Sequence, residues 1–219
     1  MKKYFLYAVG ETLLIVFGIL IALQVNNLNE NRIRKNNELT IYETIKDQLE
    51  NYKIIIEDDI QYNKKYMIQF ERANEIIEQN DRTKIDTLGK LVVKLIDHSD
   101  FDGRGNIYET LVNSGEIKIL TNHRIIDGLR ELEERFLHIN RIENIHYDAV
   151  VTQVIPRLQV NVNLSNGAVL DNNRLYEADF QNLLFLVLRI MYEKEDVYNS
   201  TIRDIDNLII LIDDELKDI

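Results

Sequence analysis

Glu11 is the one carboxylate inside Tyr4 to Gln24, an apolar run of 21 residues reading YFLYAVGETLLIVFGILIALQ. A carboxylate placed there is costly in hydrocarbon and calls for a role or an escape route. On a helix Glu11, Gly18 and Val25 align seven apart, and Gly18 with Ala22 forms a small-xxx-small pair that lets helices approach closely in lipid. Three readings stand side by side. Glu11 reaches the headgroup region past Tyr7 and Lys3, or it joins membrane helices as a polar contact, or it relays protons beside a multi-span partner. Glu11, Gly18 and Ala22 are the candidate intramembrane contact.

The other chemistry-bearing residues are less specific. Asp97, His98, Asp100 and Asp102 are types that bind divalent cations. Their spacing matches neither a calcium loop nor a zinc site, so an acidic loop between helices is the expectation. His138 and His146 lie eight apart, two turns along one helix, where histidines serve more often as core or boundary residues than as ligands. Gly103-Arg104-Gly105 has no strand before it and carries no dinucleotide signal. No G-x-S-x-G, P-loop, dinucleotide fingerprint or H-E-x-x-H occurs. The expectation is therefore no catalytic residue, no cofactor and no metal: a protein that is not an enzyme.

Composition narrows the class. The 219-residue chain has a formal net charge of −11; the first 11 residues (Lys2, Lys3, Glu11) carry +1, so the remainder carries −12. So acidic a body argues against nucleic acid, whose binding needs clustered Lys and Arg. The short basic cluster Arg32, Arg34, Lys35 is the one candidate for an anionic membrane surface. There are no cysteines, which excludes disulfides, thiolate zinc sites and Cys nucleophiles. One proline and eight glycines disfavour a turn-rich β architecture.

The elements that position these residues follow from periodicity. At ~1.5 Å rise per residue the apolar run makes a helix about 30 Å long, enough to cross a bilayer. It lacks a small-residue cleavage site, so it reads as an uncleaved anchor over residues 1–30 rather than a signal peptide. Lys2 and Lys3 balance Arg32, Arg34 and Lys35 under the positive-inside rule. The opening Met-Lys-Lys favours the N-terminus inside, with a soluble domain over residues 31–219 in the periplasm. The asparagine-rich stretch after Asn26 either continues the helix or breaks it briefly.

Beyond it, apolar residues recur at helical steps: Tyr42, Ile45, Leu49, Tyr52, Ile56, Ile60, Tyr66, Phe70, Ala73, Ile77. Asn80 to Thr83 reads as a turn, Thr87 to Ile96 as a short helix, and Asp97 to Leu120 as irregular. Within that stretch Asn106 caps a short helix that ends at Ser114-Gly115. Thr121 or Asn122 caps a second long helix with Ile125, Leu129, Leu132, Phe136, Ile139, His146 and Val150 on one side; Pro156 ends or kinks it. Leu158 to Leu170 alternates around Asn166-Gly167, signalling a hairpin or an extended loop. The last helix spans Glu177 to Lys217, with Phe180, Leu184, Val187, Met191, Tyr198, Ile202, Ile205, Ile209, Ile212 and Leu216 in its stripe. The expected fold is all-α: an N-terminal transmembrane helix, then an elongated antiparallel helical bundle with at most one small β-hairpin.

Two motifs carry a resemblance. GETLLIVFGILIALQVNNLNE, Gly10 to Glu30, resembles the opening signature of a family of uncharacterised bacterial membrane proteins. Ser99-Asp100-Phe101 followed by Tyr108-Glu109-Thr110-Leu111, Ser114-Gly115 and Leu120-x-Asn122 is similar to that family's middle motif. Leu28 stands where the family usually has an aromatic residue. The resemblance implies a single-pass inner-membrane protein with a domain of unknown function, and it transfers no catalytic residue. The chain is thus read as a sensor, interaction or scaffold module of the cell envelope. Its expected partners are the lipid bilayer and a membrane protein or a second copy. The alternative is an accessory subunit of an energy-coupling complex that uses Glu11.

Overall fold

In the computed structural model the described residues are 2–99, 101 and 106–217, with side chains described from residue 13 onward. Helix α1, Lys2–Glu78, runs 77 residues without a break. The asparagine-rich stretch continues the helix: it holds neither Pro nor Gly, and Asn26 bonds to Glu30 one turn on, at 2.7 Å. Every side chain from 13 to 34 is exposed, and the first buried residue is Glu38.

The chain then runs up, down, up and down. Past Glu78, Asn80 takes a left-handed φ of 47° and reverses the direction. Helix α2, Ile85–Val92, tightens into a 3-10 turn over Val93–Ile96 and leads back along the bundle. Helix α3, Ile107–Ser114, sits at the Glu38 end and stops at Gly115, whose φ of 80° provides the left-handed terminator. Asn106 occupies the cap position without a side-chain cap bond, whereas Asn122 caps α4, His123–Ala149, by accepting from the Arg124 amide.

Ahead of Pro156 the α-helical register of α4 ends at Ala149, and a π-helical turn over Val150–Val154 leads into α5, Ile155–Asn161, with Pro156 in its first turn; the turn lies where the ring removes an N–H from the ladder. Of the stretch Leu158 to Leu170, read as a hairpin or an extended loop, residues 158–161 finish α5 with Leu158 in the core, and the rest is a loop closed by an isolated antiparallel bridge, Val162 to Val169. No strand occurs among the described residues. Helix α6, Ala178–Lys217, returns along the full length of the bundle and packs against both α1 and α4.

The apolar stripes face inward, but they do not form one continuous core. Near the Glu38 end, Tyr42, Ile45, Leu49, Ile56, Leu129, Phe136 and Ile205 belong to one buried cluster. At the far end Phe70, Leu88, Val154, Leu158, Phe180 and Leu184 belong to another. Thr121 anchors the first: its amide and hydroxyl donate to Glu38 Oε1 at 2.6 and 2.7 Å. At the other end Arg82 lies 3.9 Å from the Tyr176 ring centroid, and the Tyr176 hydroxyl donates to the Asp81 carbonyl at 2.8 Å. At the same far end Gly89 of α2 meets the Gly167 turn so closely that a Cβ would stand 2.2 Å from the Gly167 carbonyl oxygen.

Candidate functional site

Where the two apolar clusters meet, the stripes of α1, α4 and α6 are interrupted at one level by polar residues. Asn63 comes from α1, Glu143 and His146 from α4, Lys194 and Tyr198 from α6, and Ser99 from the segment descending after α2. Lys194 is 1 % exposed and Glu143 4 %, and Lys194 Nζ lies 3.1 Å from Glu143 Oε1. Desolvating two charges is costly, and here hydrogen bonds offset that cost. The Ser99 hydroxyl donates to Glu143 Oε1 at 3.1 Å; the Tyr198 hydroxyl donates to the same oxygen, and the Phe101 amide to Oε2. Lys194 also donates to Ser99 Oγ. Asn63 ties α1 into the layer through its amide, which donates to the Met191 carbonyl at 2.8 Å.

Burial, reinforced by the Glu143 charge, pushes the Tyr198 phenol far above its ordinary range, so it keeps its proton and donates it to Glu143. Ser99 beside Lys194 has the residue types of a nucleophile and its base. The Lys194 ammonium nitrogen is instead engaged by Glu143 at 3.1 Å and by Ser99 itself. Four donors thus converge on one carboxylate. The evident work of the network is to fix the register of α1, α4 and α6.

His146 is different. It is 1 % exposed, and neither ring nitrogen has a hydrogen-bond partner among the described residues. Burial, helped by the charge of Lys194 and by His98, lowers its pKa from 6.5 to about 3. The ring is neutral at physiological pH. His98 lies 6.3 Å away between ring centroids and 5.4 Å from the Tyr147 ring. Its Nδ1 is 3.2 Å from the Ile96 carbonyl and, since a carbonyl only accepts, donates to it. A cavity of about 220 Å³ opens here, lined by His98, Ser99, Glu143, Asn144 and Tyr147. It is large enough for a small polar molecule, and the Glu143 carboxylate in its lining can accept from one.

The residues singled out from the sequence are distributed elsewhere. Gly18 and Ala22 stand one turn apart on the exposed part of α1, and a Cβ at Gly18 would meet nothing within 4 Å. The side chain of Glu11 lies outside the described residues. Of the acidic loop, Asp97 approaches Lys94 at 3.6 Å and His98 lines the cavity, while Asp100 and Asp102 lie outside the described residues, as do Gly103, Arg104 and Gly105. No three or more His, Asp or Glu side chains among the described residues are grouped to hold a metal ion. His138 is half-buried near Glu134, Arg135 and Asp204, so of the two histidines on α4 only His146 belongs to the polar layer.

The layer itself was missed in the sequence although it leaves a trace. The apolar steps jump from Ile60 to Tyr66, from Ile139 to His146 and from Met191 to Tyr198, and Asn63, Glu143 and Lys194 fill those gaps. Each gap alone reads as an ordinary lapse in a stripe; only the topology brings all three to one level.

Residues 11–195 match a family described as being of unknown function. No curated protein and no solved structure matches the chain.

Proposed function

The chain belongs to DUF6090, a family of unknown function, and from that premise we propose that it is a single-pass interaction or sensing module of the bacterial inner membrane, its helical body in the periplasm. The observation that carries this reading is the continuity of α1. One helix provides a segment apolar and long enough to cross a membrane, wholly unburied by the rest of the protein, and then a wall of both cores. A run of exposed Leu, Ile, Val and Phe from Leu13 to Val25 has no aqueous resting place.

From Val25 to Glu38 the helix climbs about 20 Å at ~1.5 Å per residue, enough to carry the body just clear of the headgroups. The body binds rather than transforms: four donors already engage its buried carboxylate, and a small cavity adjoins it. The acidic surface favours protein or small-molecule partners over nucleic acid. Lys2 and Lys3 support the N-in orientation.

The test is fractionation of cells expressing the full chain, combined with a reporter fused after Ile219 that works only outside the cytoplasm. Retention in the membrane after an alkaline wash, with an active reporter, is the expected result. Release by the wash overturns the anchor, and a membrane-bound but silent reporter overturns the orientation.

A further inference from the structure

Helices α1 and α6 leave a groove of about 580 Å³ between them near the far end, lined by Glu71, Asn74, Glu75, Phe185, Leu188, Arg189 and Tyr192. Phe185, Leu188, Arg189 and Tyr192 follow one another at helical steps and form one wall. Phe185 is 62 % exposed and Tyr192 46 %, and on the other wall Ile68, three residues before Glu71, is 66 % exposed. So much exposed apolar surface on an ordered helical face marks a contact rather than chance.

The charges say what covers it. The Tyr192 hydroxyl donates to Glu71, which sets the relative level of the two antiparallel helices. Four residues further on α1 and three back on α6, Glu75 and Arg189 stand at one height on opposite walls. Neither takes part in an ion pair among the described residues. A face with an unpaired cation and an unpaired anion at the same level is complementary to itself. A two-fold axis parallel to the helices brings the Arg189 of each copy to the Glu75 of the other. Resting on the membrane-anchored reading above, the anchor imposes the same geometry: two copies in one bilayer stand parallel, with equal heights facing, at raised effective concentration.

We propose that this groove is the interface of a parallel homodimer. Phe185 and Tyr192 of each copy bury apolar surface at its centre, and Arg189 and Glu75 pair at its rim. The two rim pairs set which copies meet and in what register.

The chain has no cysteine, so a single introduced thiol reports its own neighbourhood. The full chain carrying Phe185→Cys is treated in native membranes with a short bis-maleimide, beside Leu137→Cys on α4, which takes no part in the groove. The same sample is fractionated. Cross-linked dimer is expected from the Phe185→Cys chain and little from the Leu137→Cys chain. In the Phe185→Cys background, Arg189→Glu should weaken dimerisation by about tenfold, because two attractive pairs become repulsive. Arg189→Glu with Glu75→Arg should restore it. All of these positions are at the surface, so folding is not at stake. A membrane-bound Phe185→Cys chain that yields no dimer, a dimer indifferent to Arg189→Glu, or a double exchange that fails to rescue overturns the proposal. Cross-linking of the groove thiol to a different protein in place of a second copy overturns it as well. A chain found outside the membrane fails the anchor reading instead, and Phe185→Cys dimer in that fraction still supports the interface.

Discussion

Removing either Lys194 or Glu143 breaks a buried ion pair and leaves the remaining charge without the partner 3.1 Å away that offsets its desolvation. Glu143→Leu or Lys194→Met alone is expected to cost about 3–5 kcal/mol, whereas the double variant should cost far less than the sum, because two apolar side chains need no partner. Chemical denaturation of the four proteins measures this. An additive double variant sinks the account of the pair. His146 gives the layer a pH dependence of definite sign. The unfolded chain takes up a proton at this residue near its ordinary pKa of 6.5, while the folded protein resists until about 3. The stabilisation is therefore complete above about pH 6.5 and is lost as the pH falls toward 3, amounting to about 3 kcal/mol by roughly pH 4. Stability measured across that window should fall more steeply for wild type than for His146→Leu. Parallel curves would rule the effect out. Glu38 adds acid sensitivity in the same direction. Burial alone would raise its pKa, but the Thr121 hydroxyl and amide, with Lys35 and Tyr42, hold it below the usual carboxylate value. Comparison with the His146 variant separates the two.

At the level of elements, the close approach of α2 to the Gly167 turn is a second sensitive point. Gly89→Ala would place a methyl 2.2 Å from a backbone carbonyl, and at Gly167 itself the φ of 74° excludes an easy compensating side chain. Thermal unfolding should show Gly89→Ala less stable by about 1–3 kcal/mol, against no loss for Gly18→Ala, where a Cβ meets nothing. Equal behaviour of the two would contradict the packing described. The long helices were legible from the sequence because their stripes are long and regular: Tyr42 to Ile77 on α1, Ile125 to Val150 on α4 and Phe180 to Leu216 on α6 turn inward, apart from Tyr52, Ile202, Ile209 and Leu216, which are half-buried. Leu158 to Leu170 was not legible, since alternation over a few residues suits a strand and a short helix end equally, and burial of Leu158 decided for the helix. The polar layer was hidden for another reason. Asn63, Glu143 and Lys194 are distant in sequence, and a single polar residue in a stripe has no partner until the topology supplies one.

For the whole molecule, none of the described side chains before Glu38 is buried in the body. A chain beginning at Arg32 should therefore fold, give a predominantly helical circular dichroism spectrum and melt within a few degrees of the full chain in detergent. A molten or strand-rich product would show that the body depends on its anchor. Both long helices that begin or end near Glu38 close at that end: Lys35 lies 3.9 Å from Glu215, and Asn122 bonds to Glu215 at 2.7 Å. The far end, with Pro156, Asn166-Gly167 and the Arg174–Tyr176 turn, is left as the tip that faces away from the anchor. The unbroken α1 also gives the molecule a torsional phase. Each residue added between Asn26 and Asn36 would turn the Gly18–Ala22 face by ~100° relative to the body, and seven would bring it almost back. Insertion length thus works as a dial on angle far more than on height, and any task that needs anchor and body to engage partners together should wax and wane with the helical period.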